Sequence, residues 1–409
     1  MTNEKSYIRG TKLILGVSTP VFIMGLVSLF TDISSEMIQS ILPSFIFELV
    51  EENPALILGL VAGITTALSN VLKGVSGWMS DKINKRKPFV VAGYTISNLS
   101  KPFIGFSSSW ELVLGLKATD RIGKGLRTSS RDTLISYYAA EKGKAFGLHR
   151  AMDTLGAVIG SLLAFLFLFW AWTYSQIIFF TIFPGICAVV LIFFVKEVDP
   201  AKLDETKLKY YGEPKVDKID KNFIKLIIIL GVIEFASLDI AFLQARSTEI
   251  LTGLIFLIPV FYLLTNIVYM VLSPITGSLS DKIGRKPIII GGLSLLLFSC
   301  IVLAFPFESS LFSLIIISIL YAMYGIYLAS VDPISRAYIA DLAGENKRGR
   351  AYGYYYLSVG LISLAESLLF GLIYDTFSFT WAFLYTAVLL LIFIIVFAIT
   401  DFTKILKKE

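Results

Sequence analysis

Charged side chains set inside apolar helical stretches are where this sequence has chemistry to offer. In "FTDISSEMIQS", Asp32 and Glu36 stand one helical turn apart on one face. In "GLKATDRIGKG", Lys117, Asp120, Arg121 and Lys124 fall within an arc of about 100° on one helix. "GVIEFASLDIAF" carries Glu234 and Asp239, and "LISLAESLLFG" carries Glu366. On a continuous helix Glu234 and Asp239 point about 140° apart, so they are expected on different walls. Each such charge costs about 2.5–3.5 kcal/mol at the centre of a bilayer unless it meets water or a counter-charge. Groups of this kind bind charged solutes and exchange protons. Pairing of Asp32 with Arg121, or of Glu36 with Lys117, is the arrangement that would neutralise them.

Other chemistries lack their residues. One histidine, His149, and two cysteines, Cys187 and Cys300, make no metal cluster, disulfide framework or nucleophile–base pair. No G-x-x-x-x-G-K-[ST] run is present for a nucleotide. The expectation is therefore not an enzyme, and no cofactor.

The elements that must position these groups are membrane helices. The chain has 409 residues, 56% hydrophobic and only 16% charged. Its apolar runs are long enough to span lipid, where only helices and closed barrels satisfy their backbone. Twelve helices are expected, at roughly 14–49, 54–79, 88–107, 110–139, 145–171, 175–196, 222–248, 251–276, 287–305, 309–340, 350–374 and 379–401. The basic N-terminal stretch reads as leading into a permanent first helix, not a signal peptide. Lys and Arg crowd every second connection, while Glu51, Glu52, Glu308 and Asp375 mark the others. That bias predicts both termini and the middle linker in the cytoplasm. The net charge of +5 is then loop charge facing anionic lipid, not a nucleic-acid surface.

One phrase is written twice. "GWMSDKINKRKP" (77–88) returns as "GSLSDKIGRKP" (277–287), after the second helix of each set of six. "SSRDTLISYYAAEKGKAFG" (129–147) aligns loosely with "ISRAYIADLAGENKRGRAYG" (334–353). Two pseudo-symmetric six-helix bundles follow, 1–195 and 222–409, joined by a charged cytoplasmic linker, 196–221. Gly77 and Gly277 read as points of close helix approach, and Asp81 and Asp281 as partners for a helix N-terminus or a base. Arg131, Asp132, Arg150 and Arg336 are expected near the same face.

These residues carry a resemblance. The repeated loop is similar to the signature loop of the major facilitator superfamily, and "DRIGKG" (120–125) resembles its helix-4 arginine motif. Gly147, Gly156 and Gly160 have the spacing of its antiporter motif, with Ser161 in place of the motif's proline and Ala164 in place of a glycine. "EMIQ" resembles helix 1 of multidrug/proton antiporters, where an acid at this place is functional. The resemblance implies a monomeric, multi-pass protein of the cytoplasmic membrane that rocks between two states. Gly77, Asp81, Arg86, Arg131, Gly277, Asp281 and Arg285 would take part in the gating. It also implies that helices 1, 4, 7 and 10 line a central cavity. Asp32, Glu36, Arg121, Glu234, Asp239 and Glu366 would then contact substrate, joined by Tyr321, Tyr324 and Tyr327 of "LYAMYGIYLAS", which span about 120° of helix 10.

Aromatic faces with buried acids suit an organic cation. Protons exchanging at Asp32 and Glu36 would drive its efflux. The alternative is proton-coupled uptake of an anionic or zwitterionic metabolite through Arg121 and Lys124. A receptor or scaffold would leave the buried charges unexplained.

Overall fold

The computed structural model describes residues 13–83, 85–139, 142–197, 231–343 and 348–399. Within these, the side chains at Gly77, Asp81 and Arg336 fall outside the description, as do most of the linker and the first residues of the seventh predicted helix.

The described chain is helical apart from one short hairpin, β1 (Leu13–Ile14) with β2 (Val17–Ser18). Its tight turn is made by Leu15 and Gly16 at positive φ. The helices of the first half are α1 (Thr19–Gln39), α2 (Leu42–Leu49), α3 (Pro54–Ile83), α4 (Lys87–Ile104), α5 (Trp110–Tyr138), α6 (Lys142–Phe169), α7 (Tyr174–Phe180) and α8 (Ile182–Phe193). A helical stretch at 231–235 opens the second half. It is followed by α9 (Ile240–Ile250), α10 (Ile258–Ile283), α11 (Arg285–Leu303), α12 (Leu311–Ala343), α13 (Arg348–Thr376) and α14 (Phe379–Ile399).

Among the described residues, nine helices are long and apolar enough to cross a membrane. Two of the twelve expected spans fall short of that measure for physical reasons: α5 is loaded with charge, and α4 carries Lys101 among polar residues. The seventh is described only from residue 231 and is interrupted at 236–239.

The first predicted helix is not one rod of 14–49. It starts at Thr19 and breaks at Ser40–Ile41. Pro43 is the cause: it has no N–H to give the Gln39 carbonyl, and its ring crowds that oxygen. The freed carbonyl accepts Gln244 Nε2 from α9 at 3.3 Å, and the Ser40 carbonyl accepts it at 3.4 Å.

The connections sort into two ends. Arg246 donates to the Phe305 carbonyl, the backbone amides of Ala55 and Leu56 donate to Asp375, and Tyr374 donates to Glu249. These gather the acid-bearing connections at one end. The repeated basic phrase lies at the other, where it does the same job in both halves. Lys87 Nζ donates to the Phe193 carbonyl at 3.1 Å, and Lys286 Nζ to the Ala398 carbonyl at 2.7 Å. Each lysine thus caps the C-terminus of α8 or α14, where cations are favoured. Arg86 donates to the Ser80 carbonyl, and Arg285 to Ser280 Oγ at 2.6 Å.

The halves meet most closely along α3 and α13, which run antiparallel. A Cβ on Gly59 would lie 2.2 Å from the Ser367 carbonyl, one on Gly63 2.8 Å from Leu364 Cα, and one on Gly371 2.4 Å from the Ala55 carbonyl. Small residues let two backbones touch where lipid supplies no hydrophobic drive. Gly63→Val is expected to lose about 1–3 kcal/mol by overpacking, read as a lower melting temperature in detergent. Gly115→Val, whose Cβ would meet open space, serves as the control and should leave the melt unchanged.

Candidate functional site

α5 determines the site because its charges must be faced inward. Gly93 and Gly123 bring α4 against α5, with a Cβ on either 2.6 Å from the other's carbonyl oxygen. In that contact Asp120 turns away from the centre. It accepts Ser97 Oγ at 2.6 Å and faces Lys101 Nζ at 3.9 Å. Lys101 is 1% exposed and also donates to the Thr31 carbonyl and to Asn98 Oδ1, both at 3.2 Å. Arg127 lies over the Tyr94 ring, 4.3 Å from its centroid.

With its acid turned outward, α5 gives its bases to the main cavity. This cavity, about 300 Å³, is lined by Lys117, Arg121 and Lys124 from α5 and by Lys73 from α3. Glu36 and Gln39 of α1, Asp239 and Tyr262 also line it, with Thr65, Thr66, Ser69 and Asn70 of α3. Gln39 Oε1 accepts Lys117 Nζ at 3.4 Å and Arg121 at 3.5 Å. Arg121 also lies 3.7 Å from Asp120. The expected direct pairs, Asp32–Arg121 and Glu36–Lys117, do not form. Glu36 instead accepts the Tyr262 hydroxyl of α10 at 2.7 Å, a bond between the two halves.

The glycines of α6 place the two acids of α1. A Cβ on Gly156 would sit 3.1 Å from Asp32 Cβ, and one on Gly160 3.2 Å from Glu36 Cβ. Bare backbone at these positions lets α1 lie flat on α6 beside both carboxylates. Gly147 has no such role, since nothing lies within 4 Å of its Cβ position. The charged groups around Asp32 are Asp153, Lys124, Glu36 and Arg127.

The second half places its acids around a smaller cavity. Here the expectation of different walls for Glu234 and Asp239 is corrected. The helix is interrupted at 236–239, and Asp239 caps the next helix by accepting the Ala241 amide at 2.8 Å. Both acids therefore line one cavity, with Glu366, Tyr324 and Tyr327. Tyr324 donates to the Leu238 carbonyl exposed by the break, at 2.7 Å. Tyr321 is not a wall residue: it is packed in the core against Phe261, at 5.6 Å between ring centroids.

Among the expected gating residues, Asp281 pairs with Arg285 at 2.6 Å, one turn on. Arg131 pairs with its neighbour Asp132 at 2.8 Å. The backbone amides of Arg86 and Lys87, at the start of α4, bind the Glu197 carboxylate at 3.0 and 2.7 Å. An anion does sit on that helix N-terminus, but it comes from the chain beyond α8. Gly277 is no close-approach point, since nothing lies within 4 Å of its Cβ position.

Lys73, Lys101, Gln39, Tyr262 and Asp332 were missed by sequence reasoning. A lysine inside an apolar helix is itself a signal, which would have found Lys73 and Lys101. The roles of Gln39 and Tyr262 depend on which helices meet.

Cross-half bonds close the acid-bearing end above the main cavity. Ser44 and Thr248 hydroxyls lie 2.8 Å apart, beside the Gln244 bonds to the broken helix. The cavity wall continues from Pro43 and Leu58 toward Asn70 and Lys73. The helical bundle thus encloses a charged cavity, tied across one end by bonds between its two halves.

The comparisons give the family. The Major Facilitator Superfamily model matches residues 24–268 and 247–405. The chain is 36% identical to an uncharacterized MFS-type transporter of Methanocaldococcus jannaschii, covering 92% of this chain and 93% of that one. An uncharacterized protein of Mycobacterium bovis is 25% identical, with 96% of each chain covered. The crystal structure of the nucleoside transporter NupG shares the fold, with a TM-score of 0.75 at 12% identity over 96% of this chain and 100% of that one. This chain belongs to the major facilitator superfamily; it is a membrane transporter and not an enzyme.

Asp120→Asn should cost about 3–5 kcal/mol, because it leaves Lys101 buried without its charge partner. Adding Lys101→Met should recover most of that loss. Heat denaturation of the purified variants is the measurement, and equal damage from the double variant would contradict the pairing.

Proposed function

We propose that this protein moves a small anionic or zwitterionic solute by alternating access, with protons exchanging at Glu36 and Asp32. One observation carries the substrate class. The main cavity has four basic side chains, Lys73, Lys117, Arg121 and Lys124, against two acids, Glu36 and Asp239; Asp120, held outside the cavity lining by Ser97 and Lys101, offsets Arg121 from behind at 3.7 Å. Guanidinium and ammonium groups around an enclosed space favour carboxylate or phosphate oxygens. The helix breaks at 40–41 and 236–239 support the reading, because transporter sites are commonly built where spanning helices are interrupted.

The Lys and Arg bias supports placing both termini in the cytoplasm. The closed, acid-bearing end then faces outward, and the cavity lies nearer the cytoplasm. Glu36 links to Tyr262 across the halves. A change in its proton occupancy alters that link, which is how a proton would bias the equilibrium between the two states. The two bundles, one for each half, are the bodies that rock, and a monomer in the cytoplasmic membrane suffices.

A second reading is exchange of an organic cation for protons. It is favoured by the acids and tyrosines of the second cavity, Glu234, Asp239, Glu366, Tyr324 and Tyr327.

In proteoliposomes, uptake of carboxylate and phosphate solutes should exceed that of cations, and Arg121→Gln should lower it about 10–100-fold. Glu36→Gln with Asp32→Asn should remove its response to a pH gradient. Cation flux that survives Arg121→Gln, with no anion flux in the parent, would overturn the first reading. Ser44→Cys with Thr248→Cys, built on a chain lacking Cys187 and Cys300, should cross-link on oxidation, since the native oxygens are 2.8 Å apart. Cross-linking should stop transport, and reductant should restore it; transport at full rate while cross-linked would exclude opening at this end.

A further inference from the structure

The second cavity differs in sign from the first. It holds about 180 Å³ and lies among residues 233–239, α12 and α13. Its carboxylates are Glu234, Asp239, Asp332 and Glu366, and its rings are Tyr324, Tyr327 and Tyr355. Among the described residues, no Lys, Arg or His lines it.

Clustered acids alone do not make a site, but Glu366 adds an independent observation. It is 4% exposed, and one of its oxygens accepts Ser367 Oγ at 2.9 Å. The other, Oε1, is buried at the cavity wall with no hydrogen-bond partner among the described residues. Native structures pair nearly all such atoms, so an unpaired one at a cavity asks for a ligand. The charged groups facing Glu366 are Asp239 and Glu234, and those facing Glu234 are Asp239 and Asp332. Every one of these is an acid.

The ring geometry narrows the ligand. The Tyr324 hydroxyl is held by the Leu238 carbonyl, so this residue offers the cavity its ring. Tyr327 stands edge-to-face with it, at 5.3 Å between centroids. Aromatic faces attract weakly hydrated organic cations. Among the described residues no His, Cys, Asp or Glu group is arranged to hold a metal ion.

We propose that this cavity is a cation site, binding an ammonium or guanidinium group between the Glu366 carboxylate and the Tyr324 and Tyr327 rings. The group can belong to a separate organic cation or to the positive end of a zwitterion. Asp239 lines both cavities, so one zwitterion could place its anion at Arg121 and its cation here. The zwitterion source rests on the transport reading above; the separate cation does not.

Calorimetric titration of the purified full-length protein tests this. The probes are the chlorides of tetramethylammonium, methylguanidinium and sodium, and the zwitterion 4-(trimethylammonio)butyrate. Tetramethylammonium or methylguanidinium should bind saturably. Glu366→Gln should weaken binding about tenfold or more, and Tyr327→Leu several-fold. If the source is a zwitterion, the butyrate binds tighter than tetramethylammonium, and Arg121→Gln removes that advantage. Equal affinities assign the site to a separate cation. If Glu366→Gln fails to melt cooperatively, Glu234→Gln replaces it with the same expectation. The proposal fails if the organic cations do not bind the parent protein, if sodium alone binds, or if the acid variants bind as the parent does. Arg121-dependent anion uptake alongside such a failure would leave the transport reading standing.

Discussion

A charge that cannot face hydrocarbon organises this molecule. α5 carries Lys117, Asp120, Arg121, Lys124 and Arg127 through the depth of the bundle, and each needs water or a partner. Lys101, Ser97 and Asn98 of α4 and Thr31 of α1 form the buried network on one side of α5. The cavity is on the other. The glycine contact between α4 and α5 and the placement of α1 both follow from housing that one helix. A buried pair of this kind adds little stability over an apolar packing, yet is damaging to break singly. Its benefit here is directional: it holds Asp120 off the cavity lining, beside Arg121, and leaves Lys117, Arg121 and Lys124 on the cavity wall.

The second organising feature is the interrupted helix. Each interruption frees a backbone carbonyl, and in a bilayer each must find a donor. At 39–40 the donor is Gln244 from the other half, and at 238 it is the Tyr324 hydroxyl. The first bond closes one end of the protein. The second fixes a tyrosine at a cavity wall. Polar backbone that would be a fault in a straight helix thus becomes part of the seal and part of the site.

The fold was legible because its signals are periodic and redundant. The duplicated phrase predicted equivalent loops, and Lys87 and Lys286 do grip equivalent helix ends. The charges of α5 announced a polar interior; that the α6 glycines lie against Asp32 and Glu36 came only from the structure. What the sequence could not show was pairing between helices. Arg121 and Glu36 are each held by residues distant in the chain, Gln39 and Tyr262, whose types are unremarkable. The angle between Glu234 and Asp239 failed because it assumed unbroken helical rotation through 236–239. Pro43 marks the earlier break, which the expectation of one helix over 14–49 passed over; no proline marks this one. Tyr321 was misplaced because three tyrosines at one spacing look alike until the neighbours that cover each are known.

The glycine seam between α3 and α13 bears on motion as well as packing. Interlocked side chains must unmesh before two helices shift, and each unmeshing is a barrier. Gly59 and Gly63 leave α3 smooth where it meets α13, and Gly360 and Gly371 do the same for α13. Backbone rests on backbone along this seam, so the ties that would have to yield for the halves to shift are gathered at its ends, Asp375 on the Ala55 and Leu56 amides and Lys73 over the Tyr356 ring.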